Sequence, residues 1–123
     1  MFQRSLFLAS LFLIPLAGFA HTHLKKSDPK ADSVLVKAPQ NIVLSFSEPI
    51  EPTMSKIEVK DSTGKEVASG PVTANADDPR TVDVALKDMK DAAGVFEVSW
   101  KAVSKDTHKS AGKFKFSVVP KAK

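Results

Sequence analysis

Apolar and polar residues alternate in five stretches of the chain, at positions 42–46, 56–60, 82–86, 96–101 and 113–118. In the fourth stretch, for example, Phe96, Val98 and Trp100 are separated by single polar residues. A period of two is that of a β-strand with one buried face. No stretch has a convincing helical period, and residues 87–93 favour at most a short helical turn before Gly94.

Turn-forming residues separate these stretches: Asp28-Pro29, Ala38-Pro39, Asp61-Ser62-Thr63-Gly64, Ser69-Gly70-Pro71, Asp78-Pro79 and Ala93-Gly94. With about seven short strands in roughly 100 residues, the pattern predicts a single all-β domain, an immunoglobulin-like sandwich of two sheets. Trp100 and most of the phenylalanines are expected in its core, because aromatic side chains bury the largest areas.

Residues 1–20 have the organisation of a cleavable secretory signal. Arg4 provides a positive charge, residues 5–17 form a nearly uninterrupted apolar run, and Gly18 and Ala20 are the small residues that a signal peptidase requires. The run is shorter than the about 20 apolar residues of a membrane span. We therefore predict cleavage after Ala20 and an exported mature domain of residues 21–123.

The composition narrows the classes of function. The chain has no cysteine, which excludes thiol catalysis and cysteine-ligated zinc and leaves the fold to be held by packing alone. Removal of Arg4 with the signal leaves 17 of the 18 Lys and Arg residues against 14 Asp and Glu, a formal charge of +3. The lysines are scattered between acidic residues, which indicates a solvated surface and not a nucleic-acid-binding stripe.

The three histidines of the chain, His21, His23 and His108, lie in two short segments that resemble metal-ligand patterns. After cleavage, His21 would carry two nitrogen donors, its α-amine and its imidazole. His108 follows Asp106 by two positions, which adds a second imidazole and a carboxylate. Three nitrogens and one oxygen suit the tetragonal geometry of Cu(II), which also binds most tightly of the divalent first-row metals at such sites.

The predicted fold offers a way to bring these donors together. The stretch 104–112 lies between the last two strands, at one end of a sandwich. An extended backbone at Asp106-Thr107-His108 would send the carboxylate and the imidazole to the same side. The first strand, starting at His21, commonly neighbours the last strand in such folds, so the N-terminus could reach this end.

His23 allows a second mode of copper binding. A free amine with a histidine at the third position can wrap Cu(II) in a square plane, provided that the backbone amides of Thr22 and His23 lose their protons. Residues 21–27 are expected to form a strand that needs these amides for its hydrogen bonds. We therefore favour the site built across the fold, with His23 as an accessory group near it.

The chain resembles the CopC family of periplasmic copper-binding proteins over essentially all of the mature domain. The resemblance is carried by His21-Thr22-His23-Leu24-Lys25-Lys26-Ser27-Asp28-Pro29, Ala38-Pro39, Leu44-Ser45-Phe46-Ser47-Glu48-Pro49-Ile50-Glu51, the block from Gly94 to His108, and Gly112-Lys113-Phe114-Lys115-Phe116. It implies a Greek-key β-sandwich that binds one Cu(II) ion through His21, Asp106 and His108. It also implies that Glu48 lies beside this site, as a supporting carboxylate or a weak axial ligand.

The same resemblance implies a monomeric, non-enzymatic copper carrier or buffer in the periplasm, serving copper homeostasis and resistance. Its partner would be an inner-membrane copper transporter of the CopD type. Some family members carry a methionine-rich loop for Cu(I), but here Met54 and Met89 are isolated, so we expect no Cu(I) site.

The alternative function is that of a copper monooxygenase with an N-terminal histidine brace. Such an enzyme needs a vacant coordination position for oxygen and a surface for its polymer. Asp106 would fill a coordination position, the chain has no tyrosine, and its single tryptophan is expected in the core. A structural sandwich that binds metal incidentally is a third, less specific interpretation.

Overall fold

The computed structural model describes residues 22–120, so the predicted signal and His21 lie outside the described residues. Eight strands form two four-stranded sheets, sheet one in the order β1-β3-β6-β5 and sheet two in the order β2-β8-β7-β4. The strands are β1 (Leu24–Asp28), β2 (Val34–Leu35), β3 (Asn41–Phe46), β4 (Lys56–Lys60), β5 (Ala68–Ala74), β6 (Thr81–Leu86), β7 (Gly94–Val103) and β8 (Lys109–Val118). A 3-10 turn, Pro52–Met54, precedes β4. In this part of the chain, no helix is long and apolar enough to cross a membrane.

The core lies between the two sheets and is built by the alternating residues of the predicted strands. Sheet one contributes Ile42 and Leu44, both fully buried, and sheet two contributes Val98. The rings of Phe96 and Phe116 stack with their centroids 5.2 Å apart, in register across β7 and β8. The predicted all-β sandwich is confirmed, with all five alternating stretches in strands.

Trp100 packs against this core, although its side chain is only partly buried. It pairs with Gly112 across β7 and β8, and a Cβ at Gly112 would lie 2.0 Å from the indole. The ring centroids of Phe46 and Phe114 each lie 6.4 Å from the ring centroid of Trp100. Glycine is therefore required at position 112, because any side chain there would displace the tryptophan from the edge of the core.

Two local predictions differ from the structure. Ser69-Gly70-Pro71, predicted as a turn, lies inside β5, where Gly70 has a φ of 81° and the pairing with β6 shifts register between Ser69 and Thr73. A glycine and a proline can thus interrupt an edge strand without ending it. The predicted helical turn at 87–93 is reduced to a bend at Asp88 and one turn in which Ala92 N–H donates to Met89 O at 3.3 Å, with Met89 buried in the core.

The prediction that the first strand neighbours the last strand is wrong. β1 pairs antiparallel with β3 in sheet one, whereas the edge of β8 is taken by the two-residue strand β2, in parallel. Hydrogen bonds from Ser117 N–H to Ser33 O (2.9 Å) and from Val119 N–H to Leu35 O (2.7 Å) occupy that edge. With this edge of β8 covered, β1 completes sheet one instead.

Candidate metal centre

His108 is held by a tight turn at the end of the sandwich where β7 ends and β8 begins. Thr107 N–H donates to Ser104 O and Ser104 N–H donates to His108 O, both at 2.9 Å, while His108 N–H donates to Ser104 Oγ at 3.0 Å. Ser104 is itself buried. Both the N–H and the carbonyl of His108 are thus bonded to Ser104, in a turn that the Thr107 N–H closes.

The predicted extended backbone at Asp106-Thr107-His108 is wrong. Thr107 has a φ of 66°, in the left-handed region, because the turn closes back on Ser104. The alternation of an extended strand, which would point the side chains of Asp106 and His108 to the same side, therefore does not apply here. Asp106 is exposed on this turn, and within residues 22–120 its carboxylate makes no hydrogen bond.

The central contact of the site joins two residues that are 60 positions apart. His108 Nδ1 lies 2.9 Å from Glu48 Oε1 and 3.1 Å from Oε2. The hydrogen bond with His108 is the largest cause of a lowered pKa at Glu48; partial desolvation opposes it, and the hydroxyls of Thr22 and Ser104 add to it. Glu48 is therefore a carboxylate at neutral pH.

The contact determines which nitrogen of His108 is available. A carboxylate can only accept a hydrogen bond, so Nδ1 must carry the proton that is shared with Glu48. In a neutral imidazole, Nε2 then has the free lone pair. Histidine ligands of metals commonly have their other nitrogen held by a carboxylate in this way. The pair is partly open to solvent, with 38% of the His108 side chain exposed.

The two loops that carry this pair are fastened to each other. Lys105 N–H donates to Pro49 O at 2.9 Å, and Glu51 N–H donates to Val103 O at 2.8 Å. The ammonium of Lys105 also lies 2.7 Å from Glu51 Oε2. These contacts lie within five residues of Glu48 and His108 along the chain, so they hold the two loops at a set distance.

The N-terminal end of the described chain reaches the same place through β3. His23 N–H donates to Ser47 Oγ and Ser47 N–H donates to His23 O, both at 2.8 Å. Thr22 is fully buried; its hydroxyl lies near enough to Glu48 to lower the pKa of that carboxyl, although it has no well-aligned partner within residues 22–120. The residue that precedes Thr22 is His21.

The structure thus brings together Glu48 and His108 and leaves the imidazole of His23 exposed. Within residues 22–120, no three His, Asp or Glu side chains lie close enough to hold a metal ion. The hydroxyls of Ser104 and Thr22 were not predicted from the sequence, because serine and threonine in a loop carry no pattern that distinguishes this role.

The fold and this contact define an all-β protein with a candidate metal centre at one end of its sandwich. A family model of the CopC domain matches residues 24–119. The chain belongs to the CopC family.

Relatives and solved structures agree with this assignment. Protein YobA of Escherichia coli K12 is 33% identical over 106 residues, which cover 86% of this chain and 85% of YobA. Copper transport protein CutJ of Bacillus subtilis is 34% identical over 110 residues, which cover 88% of this chain but 20% of CutJ. The crystal structure of CopC from Methylosinus trichosporium OB3b superimposes with a TM-score of 0.75 at 31% identity, covering 84% of this chain and 98% of that one. The methionine-rich copper resistance protein PcoC of Escherichia coli gives 0.69 at 34% identity, covering 81% and 100%.

Proposed function

We propose that this protein is a periplasmic carrier or buffer for Cu(II), with one site at the end of the sandwich where Glu48 meets His108. The contact between these two residues carries the proposal, because it leaves Nε2 of His108 free as a donor. Names of relatives, such as copper resistance protein C and copper transport protein, support copper as the metal.

The donor set of the proposed site is the amine and imidazole of His21, Nε2 of His108 and the carboxylate of Asp106. Burial of Thr22 beside Glu48 supports the participation of His21, its immediate neighbour in the chain. Exposure of Asp106 leaves its carboxylate accessible. Such a set of nitrogen and oxygen donors without sulfur is typical of Cu(II). We propose Glu48 as the group that orients His108 and raises its basicity.

The proposal also includes cleavage of the predicted signal and a transporter that receives the copper. Signal cleavage after Ala20 would create the amine of His21 and deliver a monomeric protein to the periplasm. In CutJ, the matching segment is 20% of a longer copper transport protein. That arrangement supports an inner-membrane transporter of the CopD type as the partner.

The two modes of binding are distinguished by two histidine variants. His108→Ala should abolish most of the Cu(II) affinity and change the copper spectrum, whereas His23→Ala should change both mildly. The backbone N–H of His23 already donates to Ser47, so it is engaged and not free to bind copper as a deprotonated amide. Affinity and spectra of both variants are measured by competition titration and by electron paramagnetic resonance. The reverse ranking would favour the local amine-and-amide mode.

Glu48→Gln should weaken Cu(II) binding by about tenfold, since partners that orient histidine ligands typically contribute tenfold to hundredfold. The variant keeps the shape of the side chain but loses the charge that holds the proton on Nδ1. Glu97→Gln, which changes the same charge at a partly exposed position of β7 whose carboxylate lies 4.0 Å from the ammonium of Lys113, is the matched control and should bind normally. An unchanged affinity for Glu48→Gln would remove Glu48 from the site.

A further inference from the structure

Six exposed lysines occupy the outer face of sheet two. Strands β4, β7 and β8 turn their apolar residues, such as Ile57, Val98 and Phe116, towards the core, so the alternate positions point to solvent. We call these lysines the basic face: Lys56, Lys60, Lys101, Lys109, Lys113 and Lys115. Along the sequence they are separated by other residues, and only the pairing of the strands assembles them.

The basic face holds more positive charge than the rest of the described chain. Two glutamates, Glu58 and Glu97, share the surface, so six lysines against two acids give a formal +4. Of the 18 Lys and Arg residues, 15 lie within residues 22–120, against all 14 acidic residues, so the rest of the described chain has a formal charge of −3. Charge is therefore separated between the faces of the sandwich.

Two of these lysines form salt bridges with glutamates of the same face. Lys56 lies 2.7 Å from Glu58, and Lys113 lies 4.0 Å from Glu97. Lys56 is also the direct cross-strand partner of Lys101. Like charges directly opposite each other destabilise a sheet, so folding does not favour this one pair, whereas Lys60 and Lys115 both lie opposite Glu97. The excess of lysines over acids on this face points to an anionic partner outside the chain.

The kind of cation indicates the kind of partner. Every positive charge on this face belongs to a lysine, and Arg80, the one arginine within residues 22–120, lies elsewhere. Protein interfaces are depleted in lysine and enriched in arginine, whose planar fork fits individual carboxylates. Lysines act as point charges and suit the diffuse negative potential of anionic lipid headgroups. Val95, 46% exposed on the same face, adds an apolar contact.

We propose that the basic face binds the surface of a bilayer that contains anionic phospholipid. The ten residues of β7 extend over about 33 Å, which provides a broad surface for such a contact. Glu48 and His108 lie beyond the end of this sheet, where Val103 pairs with Lys109. A molecule lying on this face keeps that end open at the membrane surface. The inference concerns the sheet and does not depend on the proposed copper site.

The test measures binding of the processed chain to vesicles made of equal parts phosphatidylglycerol and phosphatidylcholine, and to vesicles of phosphatidylcholine alone. Co-sedimentation is followed at low and high salt, with and without copper. The face variant combines Lys56→Gln, Lys101→Gln and Lys113→Gln. The control variant removes the same charge from exposed lysines outside the sheets, through Lys30→Gln, Lys87→Gln and Lys90→Gln.

We expect the unmodified protein to bind the anionic vesicles at low salt and to dissociate from them at high salt. It should not bind the vesicles made of phosphatidylcholine alone. The face variant should bind about a hundredfold more weakly, from about fivefold per lysine, while the control variant changes little. Copper titration of the same samples is expected to be unchanged.

Several results would overturn the proposal. Equal losses in the two variants would show that net charge alone matters. Absence of binding to the anionic vesicles, or equal binding to phosphatidylcholine, would exclude the lipid surface. Binding to a polyglutamate peptide without binding to vesicles would assign the face to an acidic protein. Thermal unfolding verifies that the variants are folded, and the salt dependence of the unmodified protein tests the proposal without any variant.

Discussion

One residue added before His21 is expected to weaken Cu(II) binding by about a hundredfold or more, because the two linked donors of the N-terminal histidine are separated. The addition converts the amine of His21 into a backbone amide, which can bind Cu(II) only after it loses its proton, and it separates the imidazole of His21 from the free amine. Thr22 is buried at the site, so the chain cannot shift register to present the new amine in the same place.

The experiment compares the processed chain, the chain extended before His21 and a control that carries the same residue after Lys123. Trp100 is the single tryptophan and the chain has no tyrosine, so the fluorescence of Trp100 can report copper binding without a contribution from other such side chains. Affinity of the processed chain should rise as pH increases through about 7.7–8.0, where a free α-amine loses its proton. Equal affinity of the extended and processed chains would contradict the proposed role of the amine.

Reduction of the bound copper is expected to release most of it. The proposed donors are nitrogen and oxygen, whereas Cu(I) prefers thiolate and thioether sulfur. The two methionines of the mature chain cannot act together at this site, since Met54 is 61% exposed in the 3-10 turn and Met89 is buried in the core. A carrier with such a site would hold copper when oxidised and deliver it when reduced.

The measurement is competition with a Cu(I) chelator before and after addition of a reductant. Copper should remain on the oxidised protein against a moderate Cu(II) chelator and leave it after reduction. Met54→Leu is the matched variant and should release copper to the same extent. Tight retention of Cu(I), or peroxide-dependent turnover of a polysaccharide, would contradict the carrier function.

The sequence alone predicted the class of fold because period-two alternation requires only local geometry. Phe96 and Phe116 face the core, and the lysines between such residues face solvent, whatever the order of the strands. The candidate histidines could also be identified from the sequence, because the chain has only three histidines. Proximity of Glu48 to the site was implied by family resemblance and not by any pattern in the chain.

Only the tertiary structure decided how these parts meet. Strand order depends on competition for free edges, and β2 covers the edge of β8 that β1 was expected to pair with. The turn at Asp106-Thr107-His108 follows from hydrogen bonds to Ser104, which override the extended preference of the segment. The hydrogen bond between Glu48 and His108, and the like-charge pair of Lys56 and Lys101, join positions far apart in the chain. Such contacts exist only when register and strand order are set, because their energy depends on distances that no local pattern specifies.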